Sequence, residues 1–325
     1  MSSEQAVIPK GLVWYPDDRP GITRKRHGRG FTYKAADGTT IARGAERDRI
    51  CALAVPPAYE DVWISPRVNG HLQATGYDAR TRKQYRYHPK WGEARSAEKY
   101  DYLPRFGRAL PAIRRRVSRD LALEAGDERF ALAAAVLLID RLSMRVGNET
   151  YARENGSYGA LTLKRQHLKL TDGGLNLVYT AKGGKKVRRR LSDRKLLRVL
   201  NEIRDLPGAE LLSWTEEDGT VRTLSSGALN AYLAEATEEP FTAKTFRTWA
   251  GTLAAFEAAE SGSSTIKALS EAAAERLANT PTVARNSYIH PTVIDLAGKD
   301  MPKLKSAGVP GLRAAENRLL SLIER

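Results

Sequence analysis

The segment DERFALAAAVLLIDRLSMRVGNE, residues 127–149, decides how most of this chain is read. Its apolar residues Leu132, Val136, Ile139 and Leu142 recur at helical spacing, Asp127 stands where an N-cap acceptor belongs, and Gly147 stands where a helix ends. The pattern predicts a helix with Arg145 in its last turn. Downstream, DRKLLRVLNEI (193–203), SSGALNAYLAEA (225–236), TAKTFRTWAGTLAAFEAAE (242–260) and STIKALSEAAAERLAN (264–279) repeat it, each opened by Ser, Thr or Asp as cap candidate. Thr280 and Pro281 then open a shorter helix that carries Tyr288 about two turns in, and PGLRAAENRLLSLIER (310–325) closes the chain as an amphipathic helix.

One break interrupts this helical run. LTLKRQHLKLTDGGLNLVYTAKGGKKVRRRL (161–191) alternates around two turn signals, DGG and KGGK, and predicts a three-stranded hairpin insert with Lys182 at the second turn. Upstream the character differs again: GRGFTYKAADGTTIARG (28–44) holds two β-like runs around Asp37–Gly38, and EDVWISPRVNGHLQATGYD (60–78) holds two more around Asn69–Gly70. The change falls near HPKWGEARSAEK. We therefore expect an α+β chain: a small β-rich domain over 1–91 and a larger, mainly α-helical domain with a hairpin insert over 92–325.

The 325 residues carry 53 Lys+Arg against 38 Asp+Glu, a formal net charge of +15, which makes nucleic acid the first partner to consider. Three basic runs, ITRKRHGR, IRRRVSR and KKVRRRLSDRK, lie far apart in the chain and suit a protein that surrounds a polyanion. The first residues, MSSEQAVIPKG, lack the regions of a signal peptide, and no apolar run approaches a membrane span, so a cytoplasmic, nucleoid-associated protein is expected. The lone Cys51 excludes an intramolecular disulfide and a Cys-based zinc site, and the five histidines show no ligand spacing. Neither a metal nor another cofactor is expected.

Breaking a phosphodiester without a metal calls for fixed positive charge on the nonbridging oxygens, a nucleophile, and an acid for the leaving oxygen. The chain offers Arg145, Arg247 in KTFRTW, Tyr288, and Lys182 in AKGGKK. Singly, each has a plain structural alternative: Arg145 at a helix C-terminus, Tyr288 as a half-buried aromatic, Asn279 as a helix-ending residue.

Together, several stretches in the family's order resemble the type IB DNA topoisomerases, in particular the small poxvirus-like enzymes of bacteria. MRVGNETYARENGSYGALTLKRQHL (144–168) is similar to the family's first arginine segment, AKTFRTW (243–249) to its second, and NTPTVARNSYIHP (279–291) to its nucleophile segment. GITRKRHGRGFTY with PPAYEDVWI, and GYDARTRKQYRYH, resemble the family's DNA-clamping module. The resemblance implies that Tyr288 attacks phosphorus to leave a 3′-phosphotyrosyl bond and a 5′-hydroxyl, that Arg145 and Arg247 hold the nonbridging oxygens, and that Lys182 protonates the leaving oxygen. Lys185 and Lys186 stand close to Lys182; the spacing from Arg145 and the place at the turn favour Lys182. Many members have a histidine nine residues before the tyrosine, where this chain has Asn279, a hydrogen-bond donor that is neither acid nor base near neutral pH.

The resemblance further implies a monomeric, C-shaped clamp on double-stranded DNA, with Arg82, Gln84, Tyr85 and Tyr87 of the RKQYRY strand, and Tyr151, as DNA contacts, and Gln84 as an amide able to pair with adenine. Two other readings use the same residues. A tyrosine recombinase typically shows HxxR at the second arginine, where this chain has KTFR, and a basic DNA-binding protein would form no covalent adduct.

Overall fold

The computed structural model describes residues 8–171, 174–204, 206–262 and 265–325. Asp172 and Gly173 of the first expected hairpin turn, and the residues up to Val7 read for a targeting signal, lie outside the described residues. The chain divides into two compact units, Met1–Lys99 and Tyr100–Arg325.

The first unit is an antiparallel five-stranded sheet with one complete helix and most of a second. Its elements are β1 (Ile22–His27), β2 (Gly30–Lys34), α1 (Ala45–Ala52), β3 (Glu60–Ile64), β4 (Leu72–Tyr77) and β5 (Lys83–Tyr87), in the sheet order β2-β1-β3-β4-β5. The register sets Ile22 against Ile64 and Ile64 against Ala74, and these side chains form a core with Tyr33, Val62 and Ile50 of α1. The first hairpin differs from expectation. Its turn is at Gly28–Arg29, so the basic run ITRKRH is itself a strand, while Asp37–Gly38 leads only to a single bridge between Lys34 and Thr40. The alternation is hidden because Ile22 is the one apolar residue of β1. Arg24 takes an interior role by stacking on Phe31 and donating to the carbonyls of Val55, Pro56 and Tyr59.

α2 (Pro89–Asp101) runs through both the expected boundary at residues 91/92 and the division after Lys99. The second unit continues with α3 (Leu103–Asp120), α4 (Glu128–Leu142), α5 (Glu149–Asn155), β6 (Leu168–Thr171), β7 (Gly174–Ala181), β8 (Lys185–Arg190) and α6 (Arg194–Ile203). A short hairpin of β9 (Ser213–Thr215) and β10 (Val221–Thr223) precedes α7 (Ser226–Thr237), α8 (Ala243–Glu260), α9 (Ile266–Leu277), α10 (Pro281–Tyr288), α11 (Pro291–Ile294) and α12 (Ala314–Ile323). β6, β7 and β8 form the expected three-stranded insert, with Lys182 in the β7–β8 turn. The β9–β10 hairpin was not anticipated.

α4 is the axis of this unit. Asp127 Oδ1 accepts from the Arg129 and Phe130 amides at 2.6 and 3.3 Å, and every residue from Phe130 to Ile139 is buried. An all-round apolar helix is what a central position requires. Its end departs from expectation: the helix stops at Leu142 because Ser143 adopts the left-handed conformation, φ 54°. Arg145 therefore lies beyond the helix on extended chain and not in its last turn.

The basic run IRRRVSR on α3 is largely matched inside the unit. Arg114 joins Asp140 and the buried Glu316, Arg116 joins Asp120 and Glu235, and Arg119 joins Asp120. Of the three basic runs, this one contributes least free charge.

Candidate active site

Four of the five expected catalytic residues meet where the ends of α4, α9 and α10 reach the first turns of α8. Arg145 is fixed through its backbone: its carbonyl accepts from Ala160 N at 2.8 Å, and Val146 O accepts from Leu161 N at 2.7 Å. The crossing is close enough that a Cβ on Gly159 would come within 2.6 Å of Arg145 O, so that segment tolerates only glycine. The Arg145 guanidinium donates to Asn279 Oδ1, across 134 residues of sequence.

Asn279 follows α9, whose C-cap Ala278 is left-handed at φ 50°. That reversal turns the Asn279 side chain into the site, where it is 8% exposed. Its Oδ1 is occupied by Arg145, and its Nδ2 is buried with no acceptor.

Arg247, in the second turn of α8, is 4% exposed. Nη1 donates to Ser143 O and Nη2 to Leu277 O at 3.0 Å, so it occupies the orphan carbonyls that end α4 and α9. Its Nε is buried with no acceptor. Burial, then the adjacent Arg145 charge, push its pKa down to about 10, with Tyr288 and Tyr179 acting in the opposite sense.

Tyr288 is the last residue of α10, which Thr280 caps by accepting from Val283 N at 3.3 Å. Its ring centroid is 5.2 Å from Arg247 Cζ. Gly251, one turn beyond Arg247 on α8, permits this approach: a Cβ there would lie 3.0 Å from Tyr288 Cβ and 2.8 Å from its carbonyl. Thr252 Oγ1 donates to Tyr288 O at 3.1 Å and accepts from His290 N at 3.1 Å, locking the backbone on both sides of the tyrosine. His290 itself caps α11 and packs edge-on to Tyr100.

Lys182 does not join this group. It is exposed in the β7–β8 turn with Nζ 5.9 Å from the Tyr151 ring centroid, and Tyr151 sits on α5, 37% exposed. The lysine that reaches the site is Lys185, whose Nζ donates to Asn279 O at 2.9 Å. Arg189 lies on the same face of β8 and donates to the carbonyls of Glu275 and Arg276 at 2.9 and 3.0 Å. Alternation along KKVRRR, with buried Val187 between these two, is the signal that could have singled them out. Tyr179 of β7 was also missed: burial pushes its phenol up, and the charges of Arg247, Arg145 and Arg189 oppose the shift.

In the first unit, Tyr85 and Tyr87 are about half exposed on one face of β5, with centroids 6.1 Å apart and planes within 11°. Arg82 and Gln84 are both engaged by Asp78, at 2.6 and 3.0 Å. The Arg82 guanidinium is the main reason the Asp78 carboxyl falls to about 2.

The second unit thus holds two guanidiniums, two buried N–H donors without acceptors, and a tyrosine within one small volume. Buried donors of this kind are rare, and an oxyanion satisfies both. Comparison with known proteins places the chain in a family. Residues 30–78 match the family model described as the bacterial DNA topoisomerase IB N-terminal domain. The chain is also 28% identical over 237 residues to DNA topoisomerase 1B of Acanthamoeba polyphaga mimivirus, which spans 72% of this chain and 70% of that protein. Residues 88–306, well over half of the chain, match the model described as the catalytic core of eukaryotic DNA topoisomerase I, and the chain accordingly belongs to the type IB DNA topoisomerases.

Proposed function

We propose that this enzyme relaxes supercoiled double-stranded DNA as a monomeric clamp, needing neither ATP nor a metal ion, by opening one strand through Tyr288 and resealing it. The observation that carries the reading is the pair of acceptorless buried donors, Arg247 Nε and Asn279 Nδ2, beside the Tyr288 ring. A scissile phosphate placed there meets both, together with the Arg145 and Arg247 charges. The Tyr288 oxygen bonds to phosphorus as the bond to the 5′-oxygen breaks, giving a 3′-phosphotyrosyl link. The phenol proton passes to solvent, and the 5′-oxygen takes a proton from an ammonium group. The Arg247 guanidinium, held by the Ser143 and Leu277 carbonyls, needs no rearrangement as charge grows on the nonbridging oxygens. Reversal of the same steps reseals the strand after rotation.

Lys182 is our choice of proton donor. Gly183 and Gly184, at φ 81° and 76°, form the turn that must fold from Tyr151 toward the DNA for this to occur. The stacked Tyr85 and Tyr87, with Arg82, Gln84 and Tyr151, are the proposed DNA contacts.

The test is relaxation of plasmids of both supercoil signs in EDTA without ATP, with a denaturant quench to trap the adduct. Relaxation and an adduct on the 3′ end are expected, and Tyr288→Phe keeps DNA binding but forms no adduct. Loss of relaxation in EDTA removes the metal-free reading, and an adduct surviving Tyr288→Phe assigns the chemistry to another residue.

A further inference from the structure

Away from Tyr288, the second unit gathers arginines from four elements around one cavity of about 340 Å3. Arg141 closes α4, Arg189 and Arg190 end β8, Arg276 closes α9, and Arg313 precedes α12. Asp193 is the only carboxylate in the wall among the described residues. None of Arg145, Arg247, Asn279 or Tyr288 lines it.

Part of this charge is matched. Arg313 pairs with Glu316 at 2.7 Å, and Arg189 serves the carbonyls of Glu275 and Arg276. The ends of α4 and α9 add about half a negative charge each. Arg141 is paired in charge with Asp193, and the remainder is not matched. Arg190 and Arg276 have no acidic partner among the described residues. Arg141 Nε lies 3.3 Å from Asp193 Oδ2 but forms no hydrogen bond, leaving a buried N–H without an acceptor. Several guanidiniums facing one space repel one another unless an anion enters, and a buried orphan donor adds to that cost. The cavity is of small-ligand size, with room for about ten waters.

We propose that this cavity is a second anion site, distinct from the one at Tyr288, which takes a phosphate-type oxyanion in the forks of Arg190, Arg276 and Arg141. Guanidinium forks match phosphate oxygens in pairs, which favours this anion class over halide. The oxyanion has two possible sources, a backbone phosphate of bound DNA or a free phosphate or pyrophosphate. An occupant would stiffen the ends of β8 and α9, the two elements whose next contacts are Lys185 and Asn279.

The test is calorimetric titration of inorganic pyrophosphate into the full chain at low ionic strength. Saturable binding is expected, weakened at least about tenfold in Arg190→Gln/Arg276→Gln, the equivalent of one lost charge-assisted bond. Arg115→Gln, which removes an exposed arginine of α3, and Arg247→Ala, which empties the other anion site, should both retain it. Arg190→Gln alone, at an exposed position, gives the same direction if the double variant folds poorly, and melting without anion checks folding. Unchanged affinity in Arg190→Gln and the double variant, or an equal loss in Arg115→Gln, overturns the proposal, as does disappearance of all binding in Arg247→Ala. Repeating the titration on Tyr288→Phe saturated with a short duplex separates the sources: undiminished binding identifies a free oxyanion, and displacement identifies a backbone phosphate.

Discussion

Asn279 shows how one side chain acquires a direction. An amide can accept and donate, but the Arg145 guanidinium fixes its oxygen, so Nδ2 is left as the donor facing the site. Asn279→Asp keeps the acceptor for Arg145 and removes the donor while adding charge against a phosphate. It should slow single-turnover cleavage about 10²–10³-fold, the scale for one preorganised donor, with little change in the melting temperature. An equally active Asp variant would remove Asn279 from phosphate binding. Arg247 is bound at both Nη atoms by carbonyls that end two helices, and a lysine has no fork to span them. Arg145→Ala and Arg247→Ala are each expected to slow cleavage and resealing together by at least about 10²-fold, with Arg247→Lys failing to rescue. Rates within a few-fold of wild type would show that the residue touches no transition-state charge.

At the scale of elements, β8 and α12 tie distant helices together. Lys185 and Arg189 hold the end of α9, and with it the loop that carries Asn279. Lys185→Met should lower the cleavage rate about tenfold or more while leaving DNA affinity near wild type, and Lys185→Arg should restore it, because one charged hydrogen bond positions the loop. Recovery of Lys185→Met on DNA with a 5′-sulfur leaving group would instead make Lys185 the proton donor in place of Lys182. On the far side, Glu316 of α12 is fully buried between Arg114 and Arg313. Burial alone raises its pKa, but the two guanidiniums outweigh it and hold the carboxyl well below its ordinary 4.5. A depressed carboxylate stabilises the fold above its unfolded value, and that contribution fades as pH falls through the folded one. Glu316→Gln should therefore cost about 3–5 kcal/mol in urea unfolding near neutral pH, and the gap to wild type should narrow in acid. A gap that stays constant with pH would mean that packing and not charge fixes α12.

For the whole molecule, the two units have separate apolar cores, one built from Ile22 to Ala74 and the other from Leu103 onward. All five proposed catalytic residues lie in the second. A fragment of residues 100–325, cut where the units divide near the end of α2, should fold and form the phosphotyrosyl adduct at low salt. Its log–log salt dependence of DNA binding should be flatter by about 0.9 for each phosphate that the first unit neutralises in the full chain. Full-length affinity and slope in the fragment would exclude the first unit from DNA binding, and tight binding without adduct would give it a part in assembling the site.

What was legible beforehand was local. Asp127, Asp193, Ser225, Thr265 and Thr280 cap the helices they precede, and the β7–β8 turn forms at Gly183–Gly184, because these effects act within about four residues. The order of Arg145, Arg247, Asn279 and Tyr288 was legible only by resemblance. Tertiary structure decided the rest. Ser143 turns left-handed and sends Arg145 off α4 to pair with Gly159–Leu161. Arg114 and Arg116, read as part of a basic run suited to a polyanion, are drawn into ion pairs with residues up to 202 positions away. Lys185 reaches Asn279 where Lys182 does not, since alternation in a strand fixes which side a residue faces and only the fold fixes what stands there. A partner 94 or 134 residues away leaves no trace in local propensity, because its energy arises only after the chain has closed the loop between them.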